Sequence, residues 1–479
     1  MVTRRKFITT TGIGLAGITL TAQSSLLASP FLVNNVDFTS LRPSISKRNF
    51  ISNAVEETLV KVKKDISDPE LAWLFENCFP NTLDTTVTYS EPEGKPDTFV
   101  ITGDIHAMWL RDSSAQVWPY LPLIKQDEPL RKLIAGVINR QVKCILLDPY
   151  ANAFLSSDEI SEWKEDITEM KPGIHERKWE IDSLCYPIRL AYSYWKTSGD
   201  TSVFDKKWND AMELIYTTFR VQQRKENSGP YSFKRTTAWQ TDTVAGNGWG
   251  NPQKPVGLIC SIFRPSDDAT IFPFLIPSNY FALKSLRQLS EICDEVTGNT
   301  AHASKCRKLA DEVEKALKEY AIAGHLNYGK VISYEIDGYG NRLMMDDSNI
   351  PSLLSLPYLG CMDVNDPVYQ NTRKFLFSED HCWFYKGKAA SGIGSPHTLR
   401  DKIWPMTVIM QAMTSKDSEE IKTCLHMLKT THAGKGFMHE SFDKDNPADY
   451  TRSWFAWANT LFGELIIKVH AEHPQLLKT

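Results

Sequence analysis

Three short segments of this sequence carry residue types suited to acid–base chemistry on a polar substrate. Arg264-Pro265-Ser266-Asp267-Asp268 sets two carboxyls side by side. Adjacent carboxylates repel when buried, so one of them keeps its proton more readily, and a retained proton is what a general acid needs. The same spacing also fits a helix start, with Ser266 or Asp267 as the cap and Asp268 at the positive end. Met438-His439-Glu440-Ser441-Phe442 follows the turn Gly434-Lys435-Gly436; Glu440 on such a loop can activate water, or can be a solvated charge. The densest segment runs from Gly103 to Ser114 and packs His106, Trp109, Arg111 and Asp112 together. A guanidinium beside a carboxylate can hold neighbouring hydroxyls through charge-assisted hydrogen bonds. Alternatively, Asp112 or Ser113 caps a helix over Ala115–Leu121.

Other polar clusters lie on loops. They look like sugar contacts: Trp179-Glu180-Ile181-Asp182-Ser183 opens a helix whose dipole its acids could alternatively serve, Asp346 and Asp347 form an acidic loop, and His397 and Trp404 offer a donor and a stacking ring. There is no His-Glu-x-x-His, no phosphate-cradling glycine loop and no Gly-x-Ser-x-Gly elbow, so zincin, nucleotide and α/β-hydrolase readings lack support. No cofactor and no metal site is expected.

The elements that must position these loops read as helices. Apolar stripes of helical period predict helices over Phe50–Ile66, Pro129–Leu147, Ile181–Thr197, Phe204–Gln223, Ser278–Val296, His302–Tyr320, Pro396–Thr414, Ser418–His432 and Arg452–His473. Short strands are expected around Thr98–Gly103, Leu326–Glu335 and Trp383–Lys386. No repeating βαβ unit is seen, which disfavours a parallel-sheet fold. Long loops in a compact chain usually carry function. An all-α fold, twelve helices in six pairs closing as an (α/α)6 barrel with long functional loops and a few short strands, fits the length.

The chain has 479 residues and a formal net charge of −4, which argues against a nucleic-acid partner. Its 13 Trp are compatible with sugar stacking as well as with a core. Thr3-Arg4-Arg5-Lys6-Phe7-Ile8 before the apolar run Thr11–Ala22 resembles a twin-arginine export signal. The expected organisation is therefore a leader over 1–30, a connector over 31–49 and one catalytic domain over 50–479, exported to the periplasm, without membrane anchoring after processing, and monomeric. Nine cysteines without Cys-x-x-Cys pairs read as core residues rather than a disulfide framework.

Taken together, these segments resemble glycoside hydrolase family 125, the metal-independent exo-α-1,6-mannosidases with an (α/α)6 barrel. The resemblance spans about Phe50 to Ile467. It rests on His106-Ala107-Met108-Trp109-Leu110-Arg111-Asp112-Ser113, on Phe263-Arg264-Pro265-Ser266-Asp267-Asp268, and on His439-Glu440-Ser441-Phe442 followed by Trp454-Phe455-Ala456-Trp457-Ala458-Asn459, with Met345-Asp346-Asp347 between the last two. It implies an inverting hydrolase acting on terminal mannose of a glycan, with Asp267 as acid, Asp268 as its one-position alternative, and Glu440 as base. His106, Trp109, Arg111, Asp112, Arg264, Asp346, Asp347, His397 and Trp404 would then contact or shape the sugar pocket.

Overall fold

Helices begin where a short polar side chain precedes an apolar stripe, because its oxygen accepts amide protons that the first turn leaves unpaired. In the computed structural model, which describes residues 38–478, this holds for an outer set of helices. Ser52, Asp68, Asp127, Asp205, Asn299, Asp366 and Asp417 cap Asn53–Asp65, Pro69–Cys78, Glu128–Leu147, Lys206–Gln222, Thr300–Tyr320, Pro367–Leu376 and Ser418–Thr430 respectively. The leader expected over residues 1–30 lies outside the described residues. Among those described, no helix is long and apolar enough to cross a membrane.

Leu110–Val117, Ile181–Ser198, Ile276–Glu295, Pro405–Met413 and Ala456–Glu472 start with no side-chain cap. These helices line the inside. Leu110–Val117 packs against Ile181–Ser198 and Ala456–Glu472, Ile181–Ser198 against Ile276–Glu295, and Pro405–Met413 against Ala456–Glu472. Consecutive turns over residues 352–360 fill the remaining inner position. Tyr358 there donates to Glu464 at 2.8 Å, and Tyr186 donates to the Ile350 carbonyl at 3.0 Å. The result is the expected (α/α)6 toroid, with one inner helix replaced by turns.

The ring closes where the segment following the hairpin of Val87–Ser90 and Asp97–Val100 meets its last helix. The Ala456 amide donates to the Thr102 carbonyl at 3.2 Å, and Gly103 bridges to Phe455. Gly103 has φ +117, and a Cβ there would meet the Trp454 carbonyl oxygen at 2.5 Å, so this approach requires glycine.

Three small antiparallel sheets sit at the N-terminal ends of inner helices. Met108–Trp109 pairs with Ala153–Phe154, which pairs with Ile174–Glu176. Phe274–Leu275 pairs with Glu335–Ile336, which pairs with Arg342–Leu343. Lys402–Ile403 pairs with Ser441–Asp443, which pairs with Tyr450–Thr451.

Several boundaries differ from the sequence expectations. The helix expected over Pro396–Thr414 is a 3-10 turn at Pro396–Thr398, a strand at Lys402–Ile403 and a helix beginning at Pro405. Leu399 and Asp401 take positive φ, which an α-helix excludes, and Pro405 occupies the first helical turn, where its missing N–H costs nothing. The helix expected from Arg452 begins at Ala456. The helix expected over Ala115–Leu121 runs over Leu110–Val117. Pro69–Cys78 and Pro367–Leu376 were not anticipated, although Asp68-Pro69 and Asp366-Pro367 are start signals. All nine cysteines are free thiols.

Candidate active site

Arg111 and Asp112 lie in the first turn of Leu110–Val117, so neither is a cap. Both are buried. Arg111 Nη1 donates to Glu180 Oε2 at 2.5 Å and lies 3.3 Å from Asp182 Oδ2. Its Nη2 donates to Asp267 Oδ1 at 3.3 Å, and its Nε is 3.5 Å from Asp112 Oδ2. One guanidinium therefore gathers four carboxyls from three segments far apart in sequence. Glu180 and Asp182 flank the start of Ile181–Ser198, where the helix dipole favours negative charge.

Asp267 is not a helix cap: the next helix starts at Ile276. It sits in left-handed backbone, φ 66, a conformation that persists in a non-glycine residue only when its surroundings impose it. The Asp267 amide donates to the Arg264 carbonyl at 2.9 Å, the Arg264 amide donates to the Asp268 carbonyl at 2.8 Å, and Lys178 Nζ donates to the Asp267 carbonyl at 2.9 Å. Asn152 Nδ2 donates to Asp267 Oδ1 at 3.1 Å. The Asp267 side chain keeps 17% exposure, against 2% for Asp268. Asp268 points elsewhere, its Oδ1 3.1 Å from His397 Nδ1.

Burial drives the ionisation of this cluster. It raises Asp112 to about 6 despite Arg111, with the Asp267 charge adding to the effect, and raises Asp182 to about 6 against the pull of Arg111. Glu180 is pushed well above the usual carboxyl range by burial, only partly offset by Arg111, and further by the charges of Asp267 and Asp182. For Asp267, burial acts upward, but Arg111, Lys178 and a hydrogen bond from Glu180 outweigh it and hold the group low.

Glu440 immediately precedes the strand Ser441–Asp443. It is buried, and its Oε1 lies 3.4 Å from Arg452 Nη1. Arg452 has φ 36, a second imposed conformation, and its Nη2 donates to Asp104 Oδ1 at 2.5 Å. Arg452 also lowers the Asp112 carboxyl electrostatically, as Arg111 does more strongly. Asp267, Arg111, Asp112, Arg452 and Glu440 thus form a charge chain of alternating sign, in which the Asp112–Arg452 link is electrostatic and the other links are contacts.

The remaining sequence candidates divide. His397 joins the cluster through Asp268. Asp347 accepts from Ser266 at 2.8 Å and so ties the Arg264–Asp268 loop to its own. Trp109 stands edge-on to His175 at 5.4 Å, and its buried indole N–H has no protein acceptor. His106 is exposed on the loop beside Asp104. Arg264 is buried and donates to Glu335 at 2.6 Å; Glu335 also accepts the Ile271 and Phe272 amides, so Arg264 anchors the loop. Asp346 is buried and accepts the Leu353 and Leu354 amides at 2.8 and 2.9 Å, which makes it the support of the turns over 352–360 rather than a sugar contact. Trp404 is also buried and donates to Thr398 at 2.8 Å; its ring is wall, not an open stacking platform.

Sequence reasoning gave no role to Asn152, Lys178 and Arg452. No local motif marks them. Their significance comes from reaching Asp267 and Glu440 across the fold.

The family model of metal-independent α-mannosidases, glycoside hydrolase family 125, matches residues 68–467. The meiotically up-regulated gene 157 protein of Schizosaccharomyces pombe is 42% identical over 461 residues, covering 91% of this chain and 89% of its own. A solved metal-independent α-mannosidase of Streptococcus pneumoniae, in a non-productive complex with α-1,6-mannobiose, is 42% identical with a TM-score of 0.85, covering 89% of this chain and all of that one. A bacterial glucoamylase complexed with acarbose shares the fold at 12% identity and a TM-score of 0.52, covering 89% of this chain and 58% of its own.

Proposed function

Since the chain belongs to glycoside hydrolase family 125, the metal-independent α-mannosidases, we propose that it removes terminal α-1,6-linked mannose from the non-reducing ends of glycans with inversion at C1. The observation that carries this reading is the charge chain with Asp267 at one end and Glu440 at the other. Support for the linkage comes from the pneumococcal relative in complex with α-1,6-mannobiose.

Asp267 is the proposed acid, because its side chain is the more exposed of the two adjacent carboxyls. It delivers a proton to the glycosidic oxygen as the C1–O bond breaks. Glu440 takes a proton from the water that attacks C1 from the opposite face, and inverting enzymes leave about 6.5–9.5 Å between such carboxyls for that water. Positive charge develops at C1 on the way, and the surrounding acids favour it electrostatically. Arg111 and Asp112 orient sugar hydroxyls, with Trp109 on the adjoining strand and His106 on the loop before it. The Arg4-Arg5 leader text supports export through a twin-arginine route to the periplasm.

The test is hydrolysis of α-1,6-mannobiose followed by NMR from the first turnover. β-Mannose should form first, and α-1,2- and α-1,3-mannobiose should react more slowly. An initial α-anomer would remove the inverting mechanism, and a preference for another linkage would remove the assigned specificity.

A further inference from the structure

Glu180 has no exposed surface. Its Oε2 accepts from Arg111 Nη1 at 2.5 Å and from Ser183 Oγ at 2.8 Å. Its Oε1 lies 3.5 Å from Asn152 Nδ2, the same nitrogen that donates to Asp267 Oδ1 at 3.1 Å, and Arg111 donates to both carboxyls. Two carboxyls held together by the same pair of donors in a buried site favour keeping one proton between them.

The charge balance points the same way. Arg111 faces Glu180, Asp182, Asp112 and Asp267 at once. Lys178 is already engaged by Glu176 at 3.2 Å and Asp242 at 2.7 Å, and Arg235 by Asp166 and Glu176. His397 is already engaged by Asp268 at 3.1 Å. The cations at hand cannot neutralise this many buried carboxylates, and a buried unpaired charge is costly, so protons must make up the difference.

We propose that Glu180 is a positioning and proton-storing partner of Asp267, the two sharing one proton of which only Asp267 can reach the substrate. This rests on the mannosidase reading above. At rest the proton sits on Glu180. When the glycosidic oxygen approaches, the proton passes to Asp267 and from there to that oxygen as the C1–O bond breaks, leaving both carboxyls ionised. Water adds hydroxide to C1 and its proton goes to Glu440. After release, Glu440 loses that proton to solvent and the pair takes one back.

Glu180→Gln keeps the shape and a hydrogen-bond donor but stores no transferable proton. With α-1,6-mannobiose, the alkaline limb of its kcat/KM should move at least about one pH unit lower than in the wild type, because Asp267 alone beside Arg111 and Lys178 ionises early. With a dinitrophenyl α-mannoside, whose leaving group needs no proton, the loss in kcat should be at least about tenfold smaller than with mannobiose. An unmoved limb, or equal losses on both substrates, overturns the proposal. Should the variant not fold, the wild-type profile decides: an alkaline limb near neutrality supports a shared proton, and one near an ordinary carboxyl pKa of about 4 overturns it. A wild type inert towards both substrates would instead remove the mannosidase reading, and this proposal with it.

Discussion

Arg452 Nη1 lies 3.4 Å from Glu440 Oε1 while Nη2 of the same guanidinium is bound to Asp104 at 2.5 Å. The proposed base is thus steered by a residue twelve positions on, which is itself anchored to Asp104, far away in sequence. Arg452→Met should lower kcat on α-1,6-mannobiose by about 10–100-fold, the range for losing a hydrogen bond to a charged group. Arg452→Lys should recover part of that. Steady-state kinetics check it, and an effect confined to KM would show that Arg452 serves binding alone.

Asp267→Asn and Glu440→Gln should each lose about 10²–10⁴-fold in kcat, the usual scale for a general acid or base. Asp267→Asn should also lower Tm, because Arg111 and Lys178 favour the ionised carboxylate in the folded state and the amide forfeits that stabilisation. Calorimetry beside kinetics separates lost chemistry from lost structure.

Asp346 is raised to about 8 by burial, against the two amides it accepts. Its folded pKa lies above the unfolded value of about 3.9, so the unfolded chain binds fewer protons through this range. Stability should therefore fall as pH rises from about 4 to about 8. Asp346→Asn should flatten this dependence, with its Tm changing by a few degrees less than that of the wild type between pH 6 and pH 8. Parallel thermal melts at the two pH values would show it, and identical slopes would count against a neutral Asp346.

Asp127 caps Glu128–Leu147 through the Leu130 amide at 2.9 Å and accepts from Ser52 Oγ at 2.6 Å and the Ala54 amide at 3.2 Å. It joins two outer helices away from the charge chain. Asp127→Ala should cost about 1–2 kcal/mol of stability and leave kcat and KM unchanged. Denaturant titration with activity assays tests the expected separation of outer ring from inner ring.

The helical scaffold was legible because its apolar stripes are long and periodic: Glu128–Leu147, Ile181–Ser198 and Thr300–Tyr320 fall within two residues of the sequence expectation. The Pro396–Thr414 expectation failed because its apolar text continues through residues whose backbone turns left-handed at Leu399 and Asp401. In the site, side-by-side charges such as Arg111 and Asp112 announced themselves. Glu180 read as a sugar contact or as a dipole partner of its own helix, because nothing local reveals that Arg111 and Asn152 tie it to Asp267. Asp346 and Trp404 had the right chemistry for a sugar contact, but only packing shows that their polar atoms are already engaged within the fold.

The closure at Thr102, Gly103 and Asp104 against Trp454, Phe455 and Arg452 gives the chain an order of completion. A growing polypeptide acquires Arg111, Asn152, Glu180 and Asp267 in sequence, so the acid half can assemble while synthesis continues. Glu440 and the arginine that steers it arrive near the end, and the ring has no seam-closing helix until Ala456–Glu472 docks. On the proposed mechanism, hydrolytic competence is therefore coupled to finishing the chain: a nascent or C-terminally clipped molecule would hold the proposed proton donor without the proposed base, and would be silent rather than partly active.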